Sequence, residues 1–198
     1  LNHEKLLAKR RRDEFEKKHC LGDLDVNINS IANTLNVEDI NENLSISELK
    51  KLNPDIIIVF GTRKLEKNFV TMFNEALWNL HGGNPEEYRG LDSHLWAIFE
   101  KKFDEIKTCI HKVEFSLDTG KIFKIYPLEI YKNCKLHELR YLNTKICLKL
   151  SKELINEYNV KGIISSVQQK KRGNYYSHMT ECQKDKCVKL FNDYTKYL

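Results

Sequence analysis

The feature that most constrains the fold is a short run of β-branched residues that ends at a glycine. Residues 56–60 read Ile-Ile-Ile-Val-Phe, Gly61 follows them and Pro54 precedes them. A continuous apolar run of this length, bounded by turn residues, is typical of a strand buried on both faces of a parallel sheet. We therefore predict a strand over 56–60 whose sheet is covered by helices on both sides.

Helix and strand patterns alternate around this run. Residues 45–48, Ser-Ile-Ser-Glu, have capping-box spacing and predict a short helix. That helix must end before Asn53, because the residue before a proline is disfavoured in helices. A helix over 66–74 and a strand over 76–80 follow. Helix alternating with strand is the rhythm of βαβ units and predicts an α/β chain.

The remaining segments have weaker patterns. A charged helix is expected at the N-terminus, and a leucine-rich helix is the longest element of the second half of the chain. We predict helices over 1–19, 92–103, 136–158 and 180–197, and strands over 23–29, 108–114, 121–127 and 162–167. Residues 173–176 are expected to form a solvated turn, with a loop on the substrate side as the alternative.

Composition excludes several classes of protein. The 198 residues are 41% hydrophobic and include only 8 Gly and 3 Pro, which is unlike a disordered or collagen-like chain. The longest apolar run is too short to cross a bilayer. Six cysteines without a C-x-x-C pair favour reduced thiols over a zinc site. We expect a soluble cytoplasmic protein without a metal and without a membrane partner.

The positive charge of the chain is concentrated near its start. Lys and Arg number 33 against 28 Asp and Glu, giving +5, and seven bases against four acids place +3 in residues 1–20. Arg10/Glu14 and Arg12/Glu16 are spaced i,i+4, which favours a solvated helix face over a nucleic-acid-binding arm. The modest positive field still favours an anionic ligand.

Polar side chains that suit acyl transfer follow two predicted strands. Asn79 and His81 are two apart, so they lie on one face of a strand end, and Asp118 begins a D-T-G sequence. An amide can donate to a developing oxyanion, an imidazole can exchange a proton near neutral pH, and a carboxylate can orient the imidazole. Taken alone, each residue also fits a structural role at a strand end or turn, and both readings stay open.

A set of motifs in a fixed order resembles the folate-dependent formyltransferase family. Its most specific part is the N-x-H pair at Asn79 and His81, followed 37 residues after the His by D-T-G. The resemblance covers about residues 53–125, and within the family it is greatest to the small-molecule and sugar N-formyltransferases. The supporting segments are 53–62, Asn79–Gly83, Tyr88–Gly90, Trp96–Ile98, His111 and Leu117–Gly120.

The resemblance implies a Rossmann-like α/β fold, with three layers around a central, mostly parallel sheet. It also implies transfer of a formyl group from 10-formyltetrahydrofolate, as co-substrate, to a primary amine, which is best suited to a nucleotide-linked amino sugar. Asn79 would hold the formyl oxygen, His81 would transfer a proton, and Asp118 would position His81 and an ordered water or relay the proton.

The same resemblance assigns the cofactor-binding residues. The cofactor would be bound by Gly61, Thr62, Arg63, Lys64, Leu65 and Leu117. Two substrate-binding candidates come from the residues themselves. Arg89, expected to be exposed after a turn, has a guanidinium that suits an anionic acceptor. His111, in an alternating strand beside the proposed site, either lines the acceptor site or belongs to the core, and both readings stay open.

Other functions and the domain organisation complete the expectations. The alternatives are hydrolysis of the same donor, transfer to another small amine, and a nucleic-acid-binding protein with a relic site. The expected partner is a small-molecule amine, nucleic acid is disfavoured, and a homodimer stays open.

We expect one formyltransferase-type domain over 1–198, with an abbreviated N-terminal part (1–52), a catalytic core (53–127) and a mostly helical C-terminal part (128–198).

Overall fold

A computed structural model describes residues 2–22 and 27–198 as six helices and six strands among other segments. The predicted strand over 23–29 falls partly outside these residues, and its described end forms a single 3-10 turn, Ile28–Ser30. The helices are α1 (Asn2–Glu16), α2 (Asn43–Leu52), α3 (Lys67–Phe73), α4 (Ser93–Phe99), α5 (Leu139–Lys161) and α6 (Glu181–Lys196). The strands are β1 (Ile57–Phe60), β2 (Leu77–His81), β3 (Tyr88–Gly90), β4 (Lys107–Lys112), β5 (Ile122–Pro127) and β6 (Asn174–Tyr176).

The central sheet has the strand order β1-β2-β4-β5. The expectation of a mostly parallel sheet is wrong for the described residues, because only β1 and β2 pair in parallel. The short loop between β4 and β5 explains the direction of that pair, because it returns the chain as an antiparallel hairpin, where a parallel pair would need a long crossover. The β2/β4 pair is also antiparallel, although a long connection containing β3 and α4 separates its strands. β1 lies at one edge of this sheet, so Phe60 is 53% exposed and the predicted burial on both faces is not reached.

Helices cover both faces of the sheet, which confirms the three-layer α/β architecture. Alternate residues of β2 point to opposite sides: Leu77 packs with Phe69 and Val70 of α3, whereas Trp78 packs with Leu150 of α5. The apolar stripe of α5 thus covers one face, while α2 and α3 cover the other.

A second cluster lies around α4 and α6, where Ile98 and Phe191 are fully buried. Beside it, β3 and β6 pair in parallel as a two-stranded sheet. The predicted strand over 162–167 is wrong, since only Val167 makes an isolated bridge, to Ile122. The strand forms instead at 174–176, where a turn was predicted, because its partner β3 is supplied by a distant part of the chain.

The helix ends show which local signals operate. α2 begins at Asn43, two residues before the predicted capping box, and the Ser45 hydroxyl donates to the carbonyl of Asp39 instead. Asn53 ends this helix in the left-handed conformation, as the following proline requires an end there. Thr180 forms a capping box with Gln183 at the start of α6.

Two further findings concern the predicted class of protein. Within residues 2–22 and 27–198, no helix has the length and apolar character needed to span a membrane. All six cysteines are free thiols.

Candidate active site

The carboxyl end of β2 presents Asn79 and His81 on the face of the sheet opposite Trp78 and Leu80. Antiparallel pairing with β4 places His111 beside Asn79 and Cys109 beside His81. His81 and His111 are buried, and their rings lie 6.2 Å apart. Sheet register therefore brings a second imidazole to the predicted pair.

Asp118 lies in the loop between β4 and β5 and joins the same cluster. Its Oδ1 is 3.4 Å from Nδ2 of Asn79, 3.4 Å from Nε2 of His111 and 3.7 Å from Nδ1 of His81. Its Oδ2 accepts a 2.7 Å hydrogen bond from the backbone N–H of Gly90. The predicted catalytic residues Asn79, His81 and Asp118 are thus brought together around one carboxylate oxygen.

The backbone of Tyr88 determines the proton arrangement of His81. Nε2 of His81 lies 2.9 Å from the carbonyl oxygen of Tyr88, so Nε2 must carry the proton and donate it. In the neutral ring, Nδ1 is then unprotonated and faces Asp118. The site therefore holds a proton acceptor whose protonated form would be stabilised by an adjacent carboxylate.

A backbone carbonyl also orients His111. Nδ1 of His111 donates to the carbonyl of Lys112 at 2.6 Å, so Nε2 of the neutral ring is an acceptor. Nδ2 of Asn79 lies 3.2 Å from this Nε2. The two N–H groups of the Asn79 amide are thus shared between the imidazole of His111 and the carboxylate of Asp118.

Burial and hydrogen bonding shift the ionisation of these groups. Burial lowers the pKa of His81, although the charge of Asp118 opposes this change. Burial alone would raise the pKa of Asp118, but the contact with His111, charge interactions with both histidines and the hydrogen bond from the backbone of Gly90 lower it to about 2. At neutral pH the site holds an ionised carboxylate beside a neutral His81 ring.

A glycine allows the turn after β2 to pass close to His81. A Cβ on Gly83 would lie 2.7 Å from Nε2 of His81 and 2.7 Å from Cβ of Ser93. Any side chain at this position would have to displace the imidazole or α4, so the ring orientation of His81 depends on glycine at position 83.

The predicted cofactor-binding segment follows β1. Gly61, Thr62, Arg63 and Lys64 are exposed, whereas Leu65 is buried against Val59 and Phe69. A cavity of about 600 Å³ opens beside this segment, and it is lined by Lys64, Leu65, Glu66, Lys67 and Phe115. Phe115 offers an aromatic surface to a flat ligand, and the two lysines outweigh the one carboxylate of Glu66, so the lining favours a ligand with negative charge. The lining includes none of Asn79, His81 and Asp118.

The structure corrects the expectation for Arg89. Its side chain is 8% exposed rather than free, and it donates from Nε to the carbonyl of Gly173 at 2.7 Å. Nη1 donates to the carbonyl of Leu117 at 3.1 Å. The sequence indicated an exposed turn because nothing local showed that β3 would be covered by β6.

Other partners of the site were not foreseen. Nε2 of Gln169 donates to the carbonyls of Asp118 and Gly120 at 3.0 and 2.8 Å, and the N–H of Gly90 binds the carboxylate. No local pattern marks such contacts, because their partners are far away in sequence. Across the described part of the chain, no three His, Cys, Asp or Glu side chains are placed to hold a metal ion.

Comparison with known families decides the family of the chain. The model of the family described as "Formyl transferase" matches residues 17–142, more than half of the sequence. The chain belongs to the formyl transferase family. This result confirms the resemblance carried by the N-x-H and D-T-G motifs, both of which lie inside the matched range.

Relatives of this formyl transferase family member have several activities. The formyltransferase PseJ from Anoxybacillus kamchatkensis, solved with UDP-4,6-dideoxy-4-formamido-L-AltNAc and tetrahydrofolate, is 26% identical. The match covers 83% of this chain and 79% of PseJ, with a TM-score of 0.58. A methionyl-tRNA formyltransferase from Azobacteroides pseudotrichonymphae genomovar. CFP2 is 28% identical over 115 residues. That match covers 56% of this chain, which spans only 35% of the length of that curated relative.

A more distant structure supports the formyltransferase fold alone. The methionyl-tRNA formyltransferase from Clostridium thermocellum is 17% identical and has a TM-score of 0.56. The match covers 89% of this chain and 70% of that one. The α/β formyltransferase fold predicted from the sequence is thereby confirmed.

Proposed function

We propose that this protein is an enzyme that transfers a formyl group from 10-formyltetrahydrofolate to a primary amine of a small molecule, best suited to a nucleotide-linked amino sugar. The observation that carries the proposal is that the side chains of Asn79 and His81 both approach the same carboxylate oxygen, Oδ1 of Asp118. The relative PseJ, solved with a nucleotide-linked formamido sugar and tetrahydrofolate, supports this acceptor and donor.

The residues beside β1 fit the proposed donor. The cavity next to Gly61–Leu65 is lined by the aromatic ring of Phe115 and by two lysines, Lys64 and Lys67, against one carboxylate, Glu66. These groups would accept a planar ring and an anionic tail, with Thr62 and Arg63 alongside and Leu117 on the loop that carries Asp118. Bound there, the donor supplies an amide-like carbonyl that an amine can attack.

In this mechanism, His81 takes the proton of the attacking amine. The amine becomes cationic as it forms its bond to the carbonyl carbon, and Nδ1 of neutral His81 is free to accept the proton that must leave. The resulting imidazolium lies beside the ionised carboxylate of Asp118, which stabilises its charge. When the bond between the formyl carbon and the donor nitrogen breaks, the imidazolium would return this proton to the leaving nitrogen, which releases tetrahydrofolate and restores neutral His81. The lowered pKa of His81 keeps the ring neutral and ready at physiological pH.

Asn79 has the complementary role at the carbonyl oxygen. One of its N–H groups would turn from Nε2 of His111 to that oxygen as negative charge develops there. The 3.2 Å contact with His111 holds the amide in place before the reaction. His111 is 2% exposed and contacts Asn79, so we assign it the role of orienting that amide, and its predicted contact with the substrate is left without support. The buried side chain of Arg89 leaves its predicted contact with the substrate without support.

The organisation and location of the protein are further proposals. We propose one formyltransferase-type domain over 1–198 with its catalytic core in 53–127, because residues before and after this range cover the sheet and contact the Asp118 loop. We propose a cytoplasmic location, since six unpaired thiols suit a reducing compartment.

The test is turnover of 10-formyltetrahydrofolate with a panel of amino sugars linked to nucleotides, followed by mass detection of an added formyl group. Asn79→Ala, His81→Ala and Asp118→Ala should each lower kcat by at least about 100-fold. His178→Ala is the matched control, because His178 is 73% exposed and lies outside the cluster. Formate release that no amine alters would instead indicate a hydrolase. Unchanged turnover in any two of the three site variants would refute the assignment.

A further inference from the structure

Residues 167–176, here named the cross-segment, link the two loops that carry the site. At its start, Val167 bridges to Ile122 of β5. At its end, β6 pairs with β3, which follows His81 in the chain. The cross-segment lies outside the range matched by the family model, 17–142.

Gln169 contacts the backbone of the Asp118 loop at two points. Its side-chain Nε2 donates to the carbonyl of Asp118 at 3.0 Å and to that of Gly120 at 2.8 Å. Asp118 has φ of 55°, in the left-handed region that side chains seldom adopt. The side-chain amide of Gln169 therefore binds the carbonyls of both residues next to Thr119, and these two hydrogen bonds stabilise the left-handed conformation of Asp118.

Arg89 holds the same loop from the other side. Its guanidinium connects the carbonyl of Gly173 in the cross-segment with the carbonyl of Leu117, the residue before Asp118. The N–H of the next residue, Gly90, binds the carboxylate itself. A Cβ on Gly90 would collide with the carbonyl oxygen of Tyr176, so β3 can approach β6 this closely only with glycine here.

These contacts converge on one side chain. Arg89 donates to the carbonyl of Leu117, and Gln169 donates to the carbonyl of Asp118. The backbone N–H of Gly90 donates to the carboxylate of Asp118. We propose that Gln169 and Arg89 are positioning residues that set the Asp118 carboxylate against His81 and Asn79. The inference rests on the proposed function for its effect on turnover, but the geometry it describes can be measured without turnover.

The first experiment measures turnover for Gln169→Ala and Gln169→Glu, with the exposed neighbour Gln168 changed to Ala and Glu as matched controls. Removing the amide lets the Asp118 loop shift, and we expect kcat to fall about 10- to 100-fold while KM for the donor changes about threefold or less. Gln169→Glu places a carboxylate against two carbonyls, and its protonated form can again donate. The decrease in kcat of Gln169→Glu relative to the wild type should therefore be larger at pH 8 than at pH 6. A merely structural defect would not produce this trend.

The second experiment uses NMR of ¹⁵N-labelled protein and needs no substrate. Since the Asp118 charge raises the pKa of His81 against the effect of burial, displacing Asp118 in Gln169→Ala should lower the titration midpoint of His81 further. Gln168→Ala should leave that midpoint unchanged. If wild-type protein transfers no formyl group but the midpoint moves, the proposed function fails and the positioning inference stands.

The opposite outcome overturns the inference. An unchanged His81 midpoint in folded Gln169→Ala would show that the amide does not position Asp118. Arg89→Lys tests the second contact, because a single ammonium cannot bridge Gly173 and Leu117 as the guanidinium fork does. We expect the same direction of change for Arg89→Lys. If that variant fails to fold, the Gln169 measurements still decide the question.

Discussion

The ionisation of Asp118 makes a measurable contribution to the stability of this formyl transferase family member. Its pKa is lowered from 3.8 to about 2 in the folded chain, and the side chain is only 8% exposed. A shift of this size corresponds to about 2 kcal/mol of folding stability. Because the folded-state pKa is depressed, the contribution is complete well above pH 3.8 and is lost as the pH falls through about 2.

The change Asp118→Asn removes this contribution. The amide oxygen can still accept the Gly90 N–H, but its NH2 group would face the Asn79 amide, so two donors would meet. The variant should be less stable than the wild type at pH 6. This stability difference should be smaller by about 1 kcal/mol at pH 3, where part of the carboxylate contribution is already gone.

The assay is urea unfolding followed by tryptophan fluorescence at pH 6, 4 and 3 for both proteins. Asp104→Asn is the matched control, because Asp104 is an exposed carboxylate in the turn after α4. The control should differ only slightly in stability from the wild type, because Asp104 is exposed to solvent. A stability difference for Asp118→Asn that does not change with pH would refute the electrostatic account of the site.

Three further variants test the elements that support the site. Gly83→Ala places a methyl group 2.7 Å from the His81 ring, and should lower the unfolding free energy by about 1–3 kcal/mol in urea titrations and reduce turnover. Leu150→Ala empties a fully buried position between α5 and the sheet, and calorimetry should show a loss of about 2–5 kcal/mol. Thr180→Ala removes the capping box of α6 and should cost about 0.5–2 kcal/mol in the same measurement, without changing turnover.

Local patterns in the sequence predicted most of the regular elements. The β-branched run at 56–60 became β1, and the leucine spacing after residue 136 became α5. Both signals are local, because the spacing of apolar side chains along a short segment must match the repeat of the strand or helix that the segment forms. The ordered motifs around Asn79, His81 and Asp118 further identified the family.

Pairing between strands was much less predictable from local sequence. Nothing at 174–176 showed that these residues would form β6, because this strand depends on the main chain of β3, over 80 residues earlier. The same gap in sequence explains Arg89, which looked exposed until β6 and Gly173 covered it. The sheet direction was misjudged for a related reason, since alternating burial fits a strand without specifying the direction of its neighbour.

The sequence by itself determined the approximate positions of the six helices and of the four strands of the central sheet, the family, and the three residue types that suit acyl transfer, because each depends on short-range order along the chain. Only the tertiary structure decided that His111 lies beside Asn79 and that Gln169 and Arg89 hold the loop of Asp118. It also decided which nitrogen of His81 carries the proton, because the carbonyl of Tyr88 is placed by the turn after β2. Register and loop contacts join residues that are distant in sequence, so no local pattern can record them.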